Sequence, residues 1–270
     1  MKHVFYTDLD GTLFIYTPYV HAPETSINEA IAWMNEGHFF SIATGRNVSD
    51  VKLYMGNIKS NLPFVLSNGT VIYDVKQDKV LYKDTLDKEY VKEALEYAKD
   101  KPHIIPCFST PYENIMFENN GVTKTREVTF QHRLVSLKDL DQYEFTKMVF
   151  FVSKEHHEDV LEDLKKFKTF DKMNIQPSGV NFIDVINKGT NKASGIRKAL
   201  ELSNITNYKI YAIGDYLNDV EMLKEADVSF APRNAHHDVL AIADYIVEAN
   251  TEHGVYEALV KSREKIKATK

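Results

Sequence analysis

The sequence is poor in cysteine: among 270 residues only Cys107 is present, so no intrachain disulfide can form and a reducing compartment is expected. Long apolar runs are missing too. The longest, MVFFV at 148–152, is far short of the roughly 20 residues that a transmembrane helix needs. No charged-then-apolar leader opens the chain, since Asp8 falls where its apolar centre would lie. A cytoplasmic protein with no membrane contact is the expectation. Basic residues are not in excess either: 33 Lys and Arg against 39 Asp and Glu leave a net charge of −6, which gives no bulk attraction for nucleic acid. Neither G-x-x-x-x-G-K-[ST] nor G-x-G-x-x-G occurs, which removes the common nucleoside-triphosphate and dinucleotide loops. Internal repeats and low-complexity segments are absent. What is present is 43% hydrophobic content, enough to bury the core of one large domain or two modest ones.

The order of the apolar runs sets the architecture. HVFYT reads as a strand, and ETSINEAIAWMNEGH places Ile27, Ala30, Ile31 and Met34 on one helical face. Ser26 and Glu29 are spaced for a capping box there, and Gly37 suits the far end. FFSIAT predicts a second buried strand and GRNVSDVKLYM a turn and helix; in PFVLSNGTVIYD, Asn68-Gly69 predicts a hairpin. From about 85 to 185 the pattern changes to a helix, DKEYVKEALEYAKD, short strands HIIPCF, NIMFE and TKMVFFVS, a helix near 154–166, and FIDVI. Such mixed order fits an α+β unit inserted into an α/β host. Alternation then resumes through KASGIRKALELS, KIYAIGD, NDVEMLKEA, VSFA, a helix near 236–243, YIV and GVYEALVK. The expected fold class is therefore α/β: a doubly wound, Rossmann-like parallel sheet from residues 1–83 and 187–270, carrying an inserted α+β cap at 84–186. Ligands of such sheets bind beyond the carboxyl ends of the strands, where Asp8, Thr44 and Asp215 stand.

Two acidic strand ends invite chemistry. In FYTDLDGTLF, residues two apart on an extended strand face one way, so Asp8 and Asp10 converge. A simple turn at Asp10-Gly11 with Asp8 as its polar edge reads equally well. An EF-hand loop does not, because Leu13 would stand where glycine must turn the chain and Tyr19 where the bidentate glutamate belongs. In GDYLND, Asp215, Asn218 and Asp219 are spaced to share a helical face, or else Asp215 or Asn218 caps a helix.

Taken in order, DLDGT, ATGR, the lysine Lys192 ahead of a helix, and GDYLND resemble the four motifs of the haloacid-dehalogenase-like phosphatase superfamily. The long insertion between the second and third resembles the type IIB cap of its Cof-type hydrolases, and RNAHHDVLAIADYIVEANTEHGVYEAL is similar to that subfamily's ending. Lys188 competes for the third motif, but the Gly189-Thr190-Asn191 spacer favours Lys192; Ala193 replaces the glycine that often follows.

The resemblance implies a Mg²⁺-dependent phosphatase of small phosphorylated metabolites, sugar phosphates foremost, with a phosphomutase or a non-enzymatic phosphoaspartate switch as alternatives. Asp8 is then the nucleophile, already ionised at neutral pH. Two like charges about 4 Å apart repel by roughly 4 kcal/mol at an effective dielectric of 20, so cations are required. Mg²⁺ would be held by Asp8, the Asp10 carbonyl and Asp215, with Asp219 supporting. Lys192 would neutralise charge, and Asp10, its pKa raised by acidic neighbours, would act as general acid and base. Thr44 and the Gly45 amide would bind phosphate at a helix N-terminus, Arg46 would contact phosphate or pair with a carboxylate, and Asn218 would orient substrate, lysine or water. Asp10 also separates phosphoryl transfer from attack on carbon, which needs no second acid. The pairs His156-His157 and His236-His237 read as surface histidines diverging on helices, Cys107 as packing, and KSREKIKATK as a solvated helix end. Nothing in the sequence specifies an oligomeric state.

Overall fold

The computed structural model describes residues 1–17, 19–54, 58–118 and 131–268. In chain order these form β1 (Lys2–Thr7), α1 (Glu24–Asn35), β2 (Phe39–Ile42), α2 (Val48–Tyr54), β3 (Phe64–Leu66), β4 (Val71–Asp74), β5 (Lys79–Lys83), α3 (Lys88–Ala98), β6 (Ile104–Ser109), β7 (Asn114–Phe117) and β8 (Arg133–Val135). There follow β9 (Lys147–Val152), α4 (His157–Leu164), β10 (Met173–Gly179), β11 (Phe182–Asn187), α5 (Lys192–Leu202), β12 (Tyr208–Ile213), α6 (Val220–Glu225), β13 (Val228–Pro232), α7 (His237–Ile242), β14 (Tyr245–Val247) and α8 (Gly254–Ala268).

β1 explains the main sheet. Its residues alternate between two apolar layers: Phe5 joins Trp33 of α1 and Leu259 of α8 on one face, while Val4 and Tyr6 join Leu200 of α5 and Met222 of α6 on the other. A strand buried on both faces belongs in a parallel sheet covered by helices. That sheet has five strands in the order β14-β13-β12-β1-β2, all parallel. A single bridge from Ala43 to Val65 extends it towards the antiparallel β3-β4-β5. The expected hairpin at Asn68-Gly69 joins β3 to β4, with positive φ at Ser67, Asn68 and Gly69.

A second sheet has the order β10-β11-β9-β6-β7-β8. One face packs on α3 and α4 through Val91, Leu95, Leu164, Phe108, Phe150 and Ile183, an apolar cluster of its own. The opposite face carries Ile105, Cys107 and Met116. MVFFV, the longest apolar run, lies in β9 between β6 and β11. β8 and β10 were not expected from the sequence. β10 contains Pro177 and is mostly half-buried, which its place at the sheet edge permits.

The capping box expected at Ser26 and Glu29 does not form. α1 begins at Glu24 after Pro23, so Ser26 lies buried within the first turn and Glu29 pairs instead with Arg263 of α8 at 2.5 Å. Gly37 follows the helix at φ +86°, as expected of a helix end. Among the described residues no helix is long and apolar enough to cross a membrane.

Candidate active site

Asp8 follows β1 with its backbone still tied to the sheet, its N–H donating to the Ile213 carbonyl at 3.0 Å. Residues Leu9–Leu13 then form one wide turn, non-helical at Asp10 and Gly11 and closed by the Phe14 N–H on the Leu9 carbonyl at 2.8 Å; this replaces the plain hairpin. Gly11 sits at φ +79°, and a Cβ on it would lie 2.3 Å from Asp215 Oδ2. Only glycine lets the Asp8 loop approach the Asp215 loop this closely.

Lys192 is the first residue of α5, which Asn191 caps reciprocally with Ser194. Its Nζ donates to Asp8 Oδ1 and to Asp219 Oδ1, both at 2.6 Å. The approach of α5 is set by a glycine pair, since a Cβ on Gly195 would lie 2.6 Å from Gly69 Cα. Thr12 donates to Asp215 Oδ1 at 2.8 Å, and Asp219 Oδ2 accepts from the Asp215 and Tyr216 N–H groups at 3.1 Å each. The capping role thus falls to Asp219, not to Asp215 or Asn218, because the turn at Leu217–Asp219 folds that side chain back over its own start. Oxygens of Asp8, Asp215 and Asp219 all lie within 4.8 Å of one another.

Three carboxylates share one lysine here. Burial pushes the Asp8 carboxyl well above the usual range; Lys192 opposes this, while Asp219, Asp215 and Asp10 add to it. Burial, reinforced by Asp219, raises Asp215 to about 7 despite the Thr12 hydroxyl and Lys192. Lys192 is held above its ordinary range: burial works against its charge, but Asp219 and Asp8 outweigh it.

Asp10 faces the opposite situation, and the expected rise in its pKa is not found. Burial alone would raise it, yet the carboxyl is held below its usual range by Arg46 first and Tyr16 second. Arg46 grips it with Nε on Oδ2 at 2.7 Å and Nη2 on Oδ1 at 2.6 Å, and Tyr16 donates its hydroxyl to Oδ1. Bidentate guanidinium–carboxylate pairs are among the strongest charge-assisted contacts. Arg46 also lies against the rings of Phe14 and Tyr54, 5.6 and 4.8 Å from their centres. The acidic doublet therefore splits between two cations.

Thr44 is fully buried and its hydroxyl accepts from the Arg46 N–H at 3.3 Å. The helix that follows starts only at Val48, so the 44–46 turn precedes the helix proper. Asn218 does not reach Lys192; it donates to Asn68 Oδ1 at 3.1 Å. Asn68 in turn donates to Asp184 Oδ2 at 2.6 Å, and Lys147 donates to Asp184 at 3.1 Å and to the Gly45 carbonyl at 2.8 Å. Asn68, Asp184 and Lys147 were missed as site residues. Their signal was a lone acid in FIDVI, on the face opposite Ile183 and Val185, and a lysine at the head of an apolar strand.

Lys188 is exposed, whereas Lys192 reaches the carboxylates. Cys107 is buried, which pushes its thiol up to about 12 and suits packing. The His236 and His237 rings do not diverge but lie 4.2 Å apart, and His236 Nδ1 caps α7 by accepting from the Asp238 N–H at 3.3 Å. His156 stacks on His103 with ring centres 4.2 Å apart.

A family model described as haloacid dehalogenase-like hydrolase matches residues 5–259. The 5-amino-6-(5-phospho-D-ribitylamino)uracil phosphatase YbjI of Escherichia coli K12 is 27% identical over 258 residues, covering 94% of this chain and 93% of that protein. An Arabidopsis thaliana protein named chloroplastic endoribonuclease YBEY is 25% identical over 272 residues, 95% of this chain but 46% of that protein, so the chain spans about half its length. A crystal structure from Streptococcus mutans UA159 superposes with a TM-score of 0.83 at 22% identity, covering 98% of this chain and 100% of that one, which speaks to the fold. The family match opens inside β1 ahead of Asp8, closes inside α8, and takes in the whole carboxylate–lysine cluster between them: the chain belongs to the haloacid dehalogenase-like hydrolases.

Proposed function

We propose that this chain is a cytoplasmic, Mg²⁺-dependent phosphatase of small phosphorylated metabolites, acting through an aspartyl-phosphate on Asp8. One observation carries the reading: Lys192 bonds Asp8 and Asp219 at 2.6 Å each, with Asp215 completing a buried acidic group that one lysine cannot neutralise.

The donor set fits the metal. Asp8, Asp215 and Asp219 offer only carboxylate oxygens, the ligands that hard Mg²⁺ takes. Asp8, the Asp10 carbonyl and Asp215 would hold it, with Asp219 supporting; when bound, the ion supplies positive charge against the substrate phosphate. The Asp10 carboxylate itself lies outside this group, on Arg46.

Asp8 attacks phosphorus in line and the leaving oxygen departs; Lys192 offsets the charge that gathers on Asp8 and the phosphoryl oxygens. Asp10 protonates the leaving alkoxide and then takes a proton from the water that hydrolyses the intermediate. In the arrangement described, Arg46 keeps Asp10 ionised and ready for the water step. A phosphoryl dianion competing for Arg46 loosens that grip and lets Asp10 carry the proton for the first step. Thr44 and the Gly45 amide receive the phosphoryl oxygens. Residues 84–186 are proposed as the cap that excludes bulk water and selects the leaving group. The substrate class is a phosphate monoester on a sugar or polyol, in keeping with the phosphoribityl compound in the name of the E. coli relative.

The test is phosphate release from a panel of phosphorylated metabolites with Mg²⁺ or EDTA, for wild type and Asp8→Asn. Release that needs the metal and vanishes in the variant is expected; equal rates in both proteins overturn the assignment of Asp8. Isomerisation of a sugar phosphate outrunning phosphate release would make the enzyme a mutase.

A further inference from the structure

The mechanism leaves one buried charge pair unused. Lys147 of β9 and Asp184 of β11 are 7% and 2% exposed, on the sheet face turned towards the parallel core. Burying a lysine is costly unless it is paired and hydrogen-bonded, and this one is both. A pair serving only its own sheet would end at Asp184. Lys147 instead crosses to the Gly45 carbonyl at 2.8 Å, while Asp184 takes the Asn68 amide at 2.6 Å.

Gly45 is where such a bond matters. As glycine it has the widest backbone freedom, and Asn68 Oδ1 would stand 3.1 Å from a Cβ there, so the site disfavours a stiffer residue. The carbonyl of Gly45 and the N–H of Arg46 belong to one planar peptide. Holding the carbonyl on Lys147 therefore turns the Arg46 N–H to the other side, where it meets the Thr44 hydroxyl at 3.3 Å. Through that one plane the cap orients Thr44 and Arg46. Asn68 extends the same chain to Asn218 at 3.1 Å, beside Asp219.

We propose that Lys147, paired with Asp184, is a positioning residue supplied by the inserted unit, setting the Gly45–Arg46 peptide so that the phosphate turn is formed only when that sheet is seated on the core. It touches neither Asp8 nor the carboxylate group, so it is not a catalytic residue. The inference rests on the phosphatase reading above for its effect on turnover, but not for its effect on the turn.

The test uses the full-length protein. Lys147→Met alone strands Asp184 as a buried charge, so the informative variant is Lys147→Met/Asp184→Asn, with Lys147→Arg retaining the charge. In ¹⁵N-labelled protein, amide exchange at Arg46 and Asn68 should speed up about 10-fold or more in the double variant, while β1 and α5 stay protected. Turnover should fall by about 10- to 100-fold in kcat with a much smaller change in KM, and Lys147→Arg should recover part of it. Unchanged exchange at Arg46 and Asn68 overturns the proposal, as does acceleration spread evenly through β1 and α5, which marks general loosening, or a kcat equal to wild type. Should wild type release no phosphate from any substrate, the phosphatase reading fails, and the exchange result alone decides the role of Lys147.

Discussion

The core and the inserted sheet each bury a lysine among carboxylates, with opposite balance. In the core, Lys192 stands against Asp8 and Asp219 with Asp215 alongside, so negative charge is in excess. Between β9 and β11, Lys147 meets Asp184 one to one, and the spare bonding capacity goes to Gly45 and Asn68. An unbalanced buried cluster of acids stays costly until a cation completes it. A balanced one is already satisfied and can only hold things in place. Excess charge marks where the chemistry is proposed, and neutrality marks the brace.

The hardest blow to this contrast is Asp8→Asn, which removes the proposed nucleophile and leaves the proposed brace untouched. Phosphate release should fall by at least about 10,000-fold, measured by steady-state kinetics with Mg²⁺. Lys192→Met is next: turnover should drop by about 100- to 1,000-fold, and metal-free protein should lose about 3–5 kcal/mol of stability as the acids lose their counter-charge. Urea unfolding with and without Mg²⁺ checks this, since the ion should restore much of the loss.

A pH series sharpens the same point. Asp215 rises to about 7 and Asp8 rises too, so between the usual carboxylate range and about 7 the folded chain keeps protons that the unfolded chain releases. The Asp215 contribution is complete in acid and is lost as pH climbs through about 7. Metal-free protein should therefore lose about 2–3 kcal/mol between pH 5 and 8, seen as a thermal midpoint lower by several degrees. Mg²⁺ should recover the midpoint at pH 8 and add little at pH 5; a midpoint flat with pH would mean that the acids carry no such excess. The smallest effect is on the brace: Asn68→Gly keeps the positive φ but cuts the link from Asp184 to Asn218, and should cost about 1–2 kcal/mol in urea unfolding while kcat falls less than in the Lys147→Met/Asp184→Asn variant.

The same contrast explains what could be read in advance. Asp8 and Asp215 stood out as acids at the ends of apolar strands, where a turn or a helix cap read as well, and Lys192 was picked out by the resemblance and its Gly189-Thr190-Asn191 spacer. The state of Asp10 was not legible, since its partner Arg46 is brought to it by the fold and the acidic neighbours in the sequence suggested the opposite shift. Asn68 was read only as a turn residue, which it is, because nothing local reveals that its amide lies against β11. Lys147 and Asp184 sit inside strands whose apolar neighbours dominate the pattern, and only the register of β9 beside β11 places them on one face. β10 was hidden by its proline and its edge position.

The contact between Gly69 and Gly195 carries a consequence for how the molecule comes into being. Asp8 and Lys192 lie 184 residues apart, and the segment between them includes the whole second sheet. Asp8 leaves the ribosome early and waits, uncompensated, while that sheet is made; only then can α5 slide glycine against glycine and deliver its lysine. Closing so long a loop is slow, which puts completion of the centre among the last events of folding. A nascent chain stalled before α5 would hold Asp8 without Lys192, without the Ile213 carbonyl that ties its backbone, and without Asp215 and Asp219.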